Sequence, residues 1–313
     1  MLPLAGIRVV EWTTAIAGPY GGMLFADLGA EVIKVEGMRG ATNRLVANIE
    51  PVIVAHGRNR PKYLAINLRT EGGREIIQRL VRTADIFYEN RLPGSAKRIH
   101  CSYEELAAIN PKIIMASIKG YQKGPYGHRP GNDPQTETDS GFIQPQGVKD
   151  LTHPPVRVGT PTIDITGAQL VVIGAMLALL NREKTGRGDH ITTSLYEDNV
   201  SIMSHHIILQ SVYGRTMERA GSGTGAARFY QTRPETVVGR TFGSQRIRRW
   251  VYIDMSADER WKKFCEVFDV PAEASIDLTT AEAREKNVQR VEEIMDAAIA
   301  RVSVDEFMKK LEA

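Results

Sequence analysis

Short apolar runs alternate with amphipathic stretches along the first third of the chain, and that alternation leaves few folds open. Ile7–Trp12 (IRVVEW) follows Gly6 and predicts a buried strand. AIAGPYGGMLFADLGAEVIKVE then supplies a Gly-Pro turn, a helix over Tyr20–Leu28, a stop at Gly29 and a second strand over Glu31–Glu36. Further on, Tyr63–Leu68 predicts a strand, EGGREIIQRLVRTA an amphipathic helix and DIFYENRLPG a strand ending in a turn. SYEELAAIN predicts a helix with Ser102 as its N-cap, and KIIMASIKG a buried strand. Repeated strand, helix, strand units with right-handed crossovers build a parallel sheet. The expectation is an open, doubly wound, Rossmann-like α/β domain, with a ligand outside the carboxyl ends of its strands near Ala15–Tyr20. AIAGPYGG lacks the GxGxxG spacing of dinucleotide sites, so its glycines read as close packing before phosphate binding.

The second constraint is PPVRVGTPTIDITGAQLVVIGAMLALLNREKTGRG, Pro154–Gly188. After Pro161, apolar residues from Ile165 to Leu180 nearly encircle a helix, which predicts burial; Arg182, Lys184 and Arg187 suit its negative end, and Gly186 and Gly188 stop it. Asp164 falls in its first turn, beside unpaired backbone N–H groups and the positive end of the dipole. Two readings stand: Asp164, or Thr162 beside it, caps the helix; or Asp164 is a carboxylate at a helix mouth, open to a ligand and able to act as a nucleophile.

Residues 121–155 read as a long ordered loop or a short irregular region, and HITTSLYEDNVSIMSHHIILQSVY as a strand and then a helix to about Tyr213. His205 and His206 are adjacent and face different ways on that helix, which argues against a metal pair. GRTMERAGSGTG (214–225) reads as a linker. Beyond it come a strand at Trp250–Met255 and helices in ADERWKKFCEVFD, AREKNVQRVEEIMDAAIARV and SVDEFMKKLEA. The expected division is a large α/β domain over 1–213 and a smaller α+β domain over 226–313.

With 313 residues, the chain has room for two cores. The net charge of +3 is too small to imply nucleic acid, though basic residues at Arg60, Lys62, Arg69, Arg91, Lys97 and Arg98 collect near the expected ligand edge. No uninterrupted apolar run reaches bilayer length, which speaks against a membrane span. The N-terminus lacks a signal-peptide pattern, and Cys101 and Cys265 lack metal-ligand spacing, so a reduced, cytoplasmic setting is expected. No metal, flavin or nicotinamide motif is apparent. Trp12, Tyr20, Met23 and Tyr121 are candidates for an acyl pocket, although such residues more often belong to a core.

Four segments in order, LAGIRVVEWTTAIAGPYGGMLFADLGAEVIKVE, LRTEGGREIIQRLVRTADIFYEN, PPVRVG with the following Asp and Gly, and REKTGRG, resemble the family III CoA transferases, the group of formyl-CoA and carnitine-CoA transferases. The resemblance implies transfer of CoA between a thioester and a free carboxylic acid, through a mixed anhydride and then a thioester on an aspartate that matches Asp164. Helix N–H groups would favour the ionised aspartate and stabilise nearby oxyanions. It also implies that Ala15, Ile16 and Ala17 lie along CoA, that Ile66 and Arg69 border the adenine and its phosphate, and that Asn90, Arg91 and Arg98 hold the nucleotide. CoA enters as substrate, with no other cofactor, and the assembly implied is an interlocked homodimer.

Four departures from the family pattern stand out. Ile16 replaces a glutamine that contacts the dicarboxylate in formyl-CoA transferases, which disfavours oxalate; Gly37 replaces an arginine, leaving Arg39 as a substitute. GSGTG at Gly221–Gly225 is the nearest counterpart of a glycine-rich gating loop, and relatives continue beyond the position of Ala313. Two alternatives follow. One is an α-methylacyl-CoA racemase, against which stands Asn132 where the racemase histidine belongs, with His128 off the motif. The other is a noncatalytic CoA-binding subunit of a heteromeric transferase.

Overall fold

The computed structural model describes residues 1–40, 62–149, 152–216, 218–219, 221, 223–224, 227–239 and 243–312. They form two compact units, 1–145 with 156–217, and 146–155 with 218–313. Residues 146–155, which the sequence reading leaves in the first domain, pack in the second unit.

The first unit is built on six parallel strands: β1 (Arg8–Trp12), β2 (Glu31–Glu36), β3 (Lys62–Ala65), β4 (Ile86–Glu89), β5 (Ile114–Lys119) and β6 (His190–Ser194). They lie in the order β3-β2-β1-β4-β5-β6. Val10 pairs with Ile33 on one side and Phe87 on the other, so the order reverses at β1 and β4. Strands buried on both faces carry continuous apolar runs, which is why β1, β4 and β5 are legible as strands. β3 ends at Ala65, and Ile66–Leu68, read as its continuation, leave the ladder.

One face is covered by α1 (Ala17–Asp27); the other carries α2 (Glu71–Val81), the short α3 (Ser95–Arg98) and α4 (Tyr103–Ile109). Ile77, Val81 and Leu106 pack there against Val10, Phe87 and Met115. Ser102 caps α4 in a reciprocal box with Glu105, as its sequence predicts. Within 121–155, read as loop or irregular throughout, residues Asp133–Asp139 form α5, capped by Asn132. It escapes apolar periodicity because DPQTETD contains no apolar side chain beyond a proline.

The long helix α6 spans Thr162–Thr185 and stops at Gly186, whose φ of 69° is left-handed. Arg182 closes its end on Asp85 at 2.9 Å. Ala168, Val171, Val172 and Ala175 bury one side of it against Phe25 and Ile114. Burial all round, expected from its composition, does not hold: Leu170, Ile173, Leu177 and Leu180 are exposed. Nor does the exclusion of a bilayer-length segment, since by length and composition α6 alone among the described helices could cross a membrane; its packed side and its paired ends are those of a core helix. The single helix expected after β6 is two, α7 (Leu195–Ile202) and α8 (Ser204–Tyr213).

In the second unit an antiparallel sheet, in the order Trp250–Asp254, Ala227–Gln231, Gly223–Thr224, packs Tyr230, Val251 and Ile253 against Trp261, Phe264, Met295 and Ile299. A separate hairpin pairs Glu235–Gly239 with Gly243–Ile247. Apart from the strand at Trp250, these strands were not anticipated, because charged and apolar residues are mixed along them. Cys101 and Cys265 are unpaired.

Candidate active site

In an open α/β sheet a ligand sits where the strand order reverses, beyond the carboxyl ends of the strands. Here that place lies past Trp12 and Glu89. Two cavities open there, sharing Thr14 and Arg91 as lining. The larger, about 860 Å³, is lined by Trp12, Arg39, Ile66, Arg69 and Arg91, among others. The smaller, about 400 Å³, is lined by Ala15, Ala17, Asn90, Arg129, Asn132 and Asp164, among others.

The turn between β1 and α1 is held under constraint. Ala15 sits at φ 58°, a conformation L-residues other than Gly, Asn and Asp rarely adopt. The Asn90 amide grips both sides of Thr14, accepting from its N–H and donating to its carbonyl, each at 2.8 Å. Gly18 lies so close to Thr13 and Asn90 that a Cβ would collide with both, and one on Gly22 would strike the Glu11 carboxylate. These glycines serve packing, and α1 starts at Ala17 with no side-chain cap.

Two ion pairs support the cavities, one buried and one partly exposed. Lys34 donates to Glu11 and, at 3.1 Å, to Thr13 Oγ1. Lys119 donates to Glu89 at 2.6 Å and to the Arg91 carbonyl at 2.9 Å. Glu89 also accepts from the Arg91 N–H, and the Arg91 guanidinium lies 4.8 Å from the Trp12 ring centroid. Paired at both ends, Lys119 and Glu89 fix the strand ends that shape the cavity floor.

Asp164 is not a cap. Asp133 on α5, 98% buried, accepts from the backbone N–H of Ile163 at 3.0 Å and of Asp164 at 3.2 Å. Thr162 N–H bonds to the Thr160 carbonyl, and Ile165 N–H to that of Pro161. All four first-turn donors of α6 are therefore satisfied, and they are closed to a bound oxyanion, contrary to the sequence expectation. Arg157 holds Asp133 from outside at 2.6 Å and Glu137 at 3.1 Å.

The Asp164 carboxylate itself accepts no hydrogen bond among the described residues. Burial pushes its pKa up to about 7, the negative Asp133 and Glu137 add to the rise, and Arg157 opposes it. This reverses the expectation of a helix-stabilised anion: the dipole end is neutralised by Asp133, and desolvation dominates. Glu137 is raised for like reasons, by burial and Asp133, and one of its oxygens has no partner.

Of the residues the family resemblance implies for CoA, Ala15, Ala17, Asn90 and Arg91 meet Asp164 at the smaller cavity, while Ile66, Arg69 and Arg91 line the larger. Ile16 is the N-cap of α1 and lines neither; Arg98 is exposed and donates to Ser95 Oγ at 2.7 Å. Lys62 is tied to Glu31 at the opposite end of the sheet, so it does not belong to the ligand edge, and Arg60 lies outside the described residues. Tyr121 is buried and bonded to Asp139. Asp133, Glu137 and Arg157 were missed; the i, i+4 spacing of the two carboxylates was the available signal. No group of metal-ligating side chains occurs among the described residues.

The chain is an open α/β protein whose parallel sheet carries, at its switch point, cavities lined by arginines and by an aspartate with a raised pKa. A CAIB/BAIF family protein from Brucella suis has this fold, with a TM-score of 0.82, 28% identity, and coverage of 99% of this chain and 82% of that one. Residues 4–313 match CoA-transferase family III, and the chain belongs to that family. A succinyl-CoA–L-malate CoA-transferase alpha subunit from Chloroflexus aurantiacus is 31% identical over 99% of this chain and 72% of its own length. An acetyl-CoA:oxalate CoA-transferase from Acetobacter aceti is 34% identical over 70% of this chain, and the match spans 58% of that relative.

Proposed function

We propose that this chain carries the catalytic machinery of an acyl-CoA:carboxylate CoA-transferase with Asp164 as nucleophile. The observation that carries the reading is the capping of α6 by Asp133, which leaves the Asp164 carboxylate unpaired and desolvated on a cavity wall. An Asp164 oxygen attacks the thioester carbonyl carbon, the C–S bond breaks and CoA leaves as thiolate, giving a mixed anhydride. The thiolate then attacks the Asp164 carbonyl carbon, releasing the first acid and forming an aspartyl-CoA thioester, which the second carboxylate reverses. A carboxylate stripped of water is the stronger nucleophile, and a pKa of about 7 leaves half of it ionised at neutrality. The uncapped start of α1 at Ala17 offers its positive end to the developing oxyanion, in place of the α6 terminus. CoA follows the larger cavity, with Arg39, Arg69 and Arg91 near its phosphates.

The relatives' names speak of succinyl, malate and oxalate groups, so a small dicarboxylic acid is the partner acid we assign. The exposed apolar side of α6, with Ile208 and Val212 on α8, is the surface we assign to a second copy in a homodimer. The name of the C. aurantiacus relative as an alpha subunit supports a second reading, one subunit of a two-chain transferase. The racemase reading loses ground because Asn132 Oδ1 accepts from Gln135 N–H as the cap of α5.

The test is intact-protein mass after exposure to a panel of acyl-CoAs, with hydroxylamine to trap the acyl-enzyme. Wild type is expected to give an adduct or hydroxamate at Asp164 that Asp164→Ala lacks. CoA binding without label at Asp164 from any donor would overturn the nucleophile assignment.

A further inference from the structure

Among the described residues three cations line the smaller cavity, and their commitments differ. Lys119 is bound by Glu89 and by the Arg91 carbonyl. Arg91 is packed over Trp12, with its Nε directed to the Trp12 carbonyl at 3.4 Å. Arg129 has no anionic partner among the described residues. Its backbone N–H bonds to the Tyr126 carbonyl at 2.8 Å, and its guanidinium stacks 4.5 Å from the Tyr126 ring centroid. The loop bearing it is seated on the end of β5, where Gly120 and Gly131 approach so closely that a Cβ on either would collide with the other's backbone. Arg129 is thus an exposed guanidinium on the cavity rim, braced by Tyr126 and by the Gly120–Gly131 contact beneath its loop, and among the described residues Asp164 is the sole acidic side chain lining that cavity.

Ala17, Leu92, Pro93, Ile118 and Leu195 supply apolar wall that would accept an alkyl chain, and the other polar side chains there, Thr14, Asn90, Ser95 and Asn132, carry no charge to balance a carboxylate. An acyl group with one carboxyl carbon at Asp164 and a second carboxylate would leave that charge unpaired unless a cation met it. We propose that Arg129 binds the distal carboxylate of a dicarboxylic acyl group and so sets specificity for dicarboxylic over monocarboxylic acids at the Asp164 cavity. The inference rests on the transferase reading above and adds the residue that reads the acid.

The experiment compares succinyl-CoA with butyryl-CoA, which match in chain length and differ in the distal carboxylate. Initial rates of hydroxamate formation are measured on wild type, Arg129→Met and Arg129→Lys, with circular dichroism to confirm folding. Arg129→Met is expected to lose about tenfold to a hundredfold in kcat/KM for succinyl-CoA, chiefly through KM, and to change by less than about twofold for butyryl-CoA. Arg129→Lys, keeping the charge but not the fork, is expected to fall between. Equal losses on both thioesters would show a grip on CoA or a structural role, and no loss on either would show a solvated surface cation; either result overturns the proposal. Calorimetric titration of Asp164→Ala with both thioesters reads the preference without chemistry. A succinyl preference there that Arg129→Met abolishes sustains Arg129 even where the nucleophile reading fails, and no preference sinks it.

Discussion

Of the helices that begin at the smaller cavity, α1 and α6 are opposite in the construction of their starts. α1 has no side-chain cap; it is held by glycines pressed against Thr13 and Glu11, and it presents its positive end at Ala17. α6 has every first-turn donor satisfied, two of them by the buried Asp133, thirty-one residues away in sequence at Asp164. The difference teaches how one fold supplies opposite electrostatic needs side by side. An uncapped helix start serves an anion that arrives; a capped one withholds its dipole from an anion already present, so that Asp164 stays desolvated with its pKa near 7.

The comparison breaks most sharply at Asp164. Asp164→Asn is expected to cut transferase turnover by at least about a thousandfold while making the protein more stable at pH 8. The folded carboxyl, at about 7, lies above its ordinary 3.8, so the folded state holds the proton more tightly than the unfolded chain. Stability therefore falls as pH rises from about 4 to about 7, and the variant escapes that fall, by about 1–3 kcal/mol at pH 8 and by nothing below pH 4. Parallel urea denaturations at the two pH values check this; an Asn variant less stable than wild type at pH 8 would contradict it.

Asp133→Ala removes the cap and leaves Arg157 with Glu137 alone, with an expected loss of about 1–3 kcal/mol in thermal unfolding. Because Asp133 raises Asp164, the acid limb of the pH–rate profile, expected near pH 7 in wild type, should also move to lower pH. On the other helix, Gly22→Ala forces a methyl onto the Glu11 carboxylate and is expected to cost about 1–3 kcal/mol, read as a lower denaturation midpoint at unchanged slope. The smallest effect belongs to Ala15→Gly, which relieves the left-handed backbone and should gain up to about 1 kcal/mol in thermal stability with turnover kept. A loss of turnover there would mean that the strained turn is itself part of the site.

Much of the first unit could be read without coordinates. IRVVEW, EVIKVE and KIIMASIKG are predominantly apolar because both faces of their sheet are covered, and Ser102 with Glu105 announces a helix start in four residues. Where the apolar signal is absent or two-sided, the local pattern misleads: DPQTETD is a helix without an apolar stripe, and the leucines that encircle α6 predict burial on a side that is exposed. Asp164 was legible as a candidate, through its place in a first turn and the family resemblance. Its chemistry was not.

The sequence alone determined the alternation of strands and helices through β5, the helix boundaries at Gly186 and Ser102, and the place of Asp164 in the first turn of α6, because these depend on residues within a few positions of one another. Tertiary structure decided which carboxylate caps α6, which cations around the cavity are already paired, and hence which way the Asp164 pKa moves. Those are questions of burial and of the nearest charge, and the nearest charge to Asp164 comes from a helix that the local pattern did not reveal.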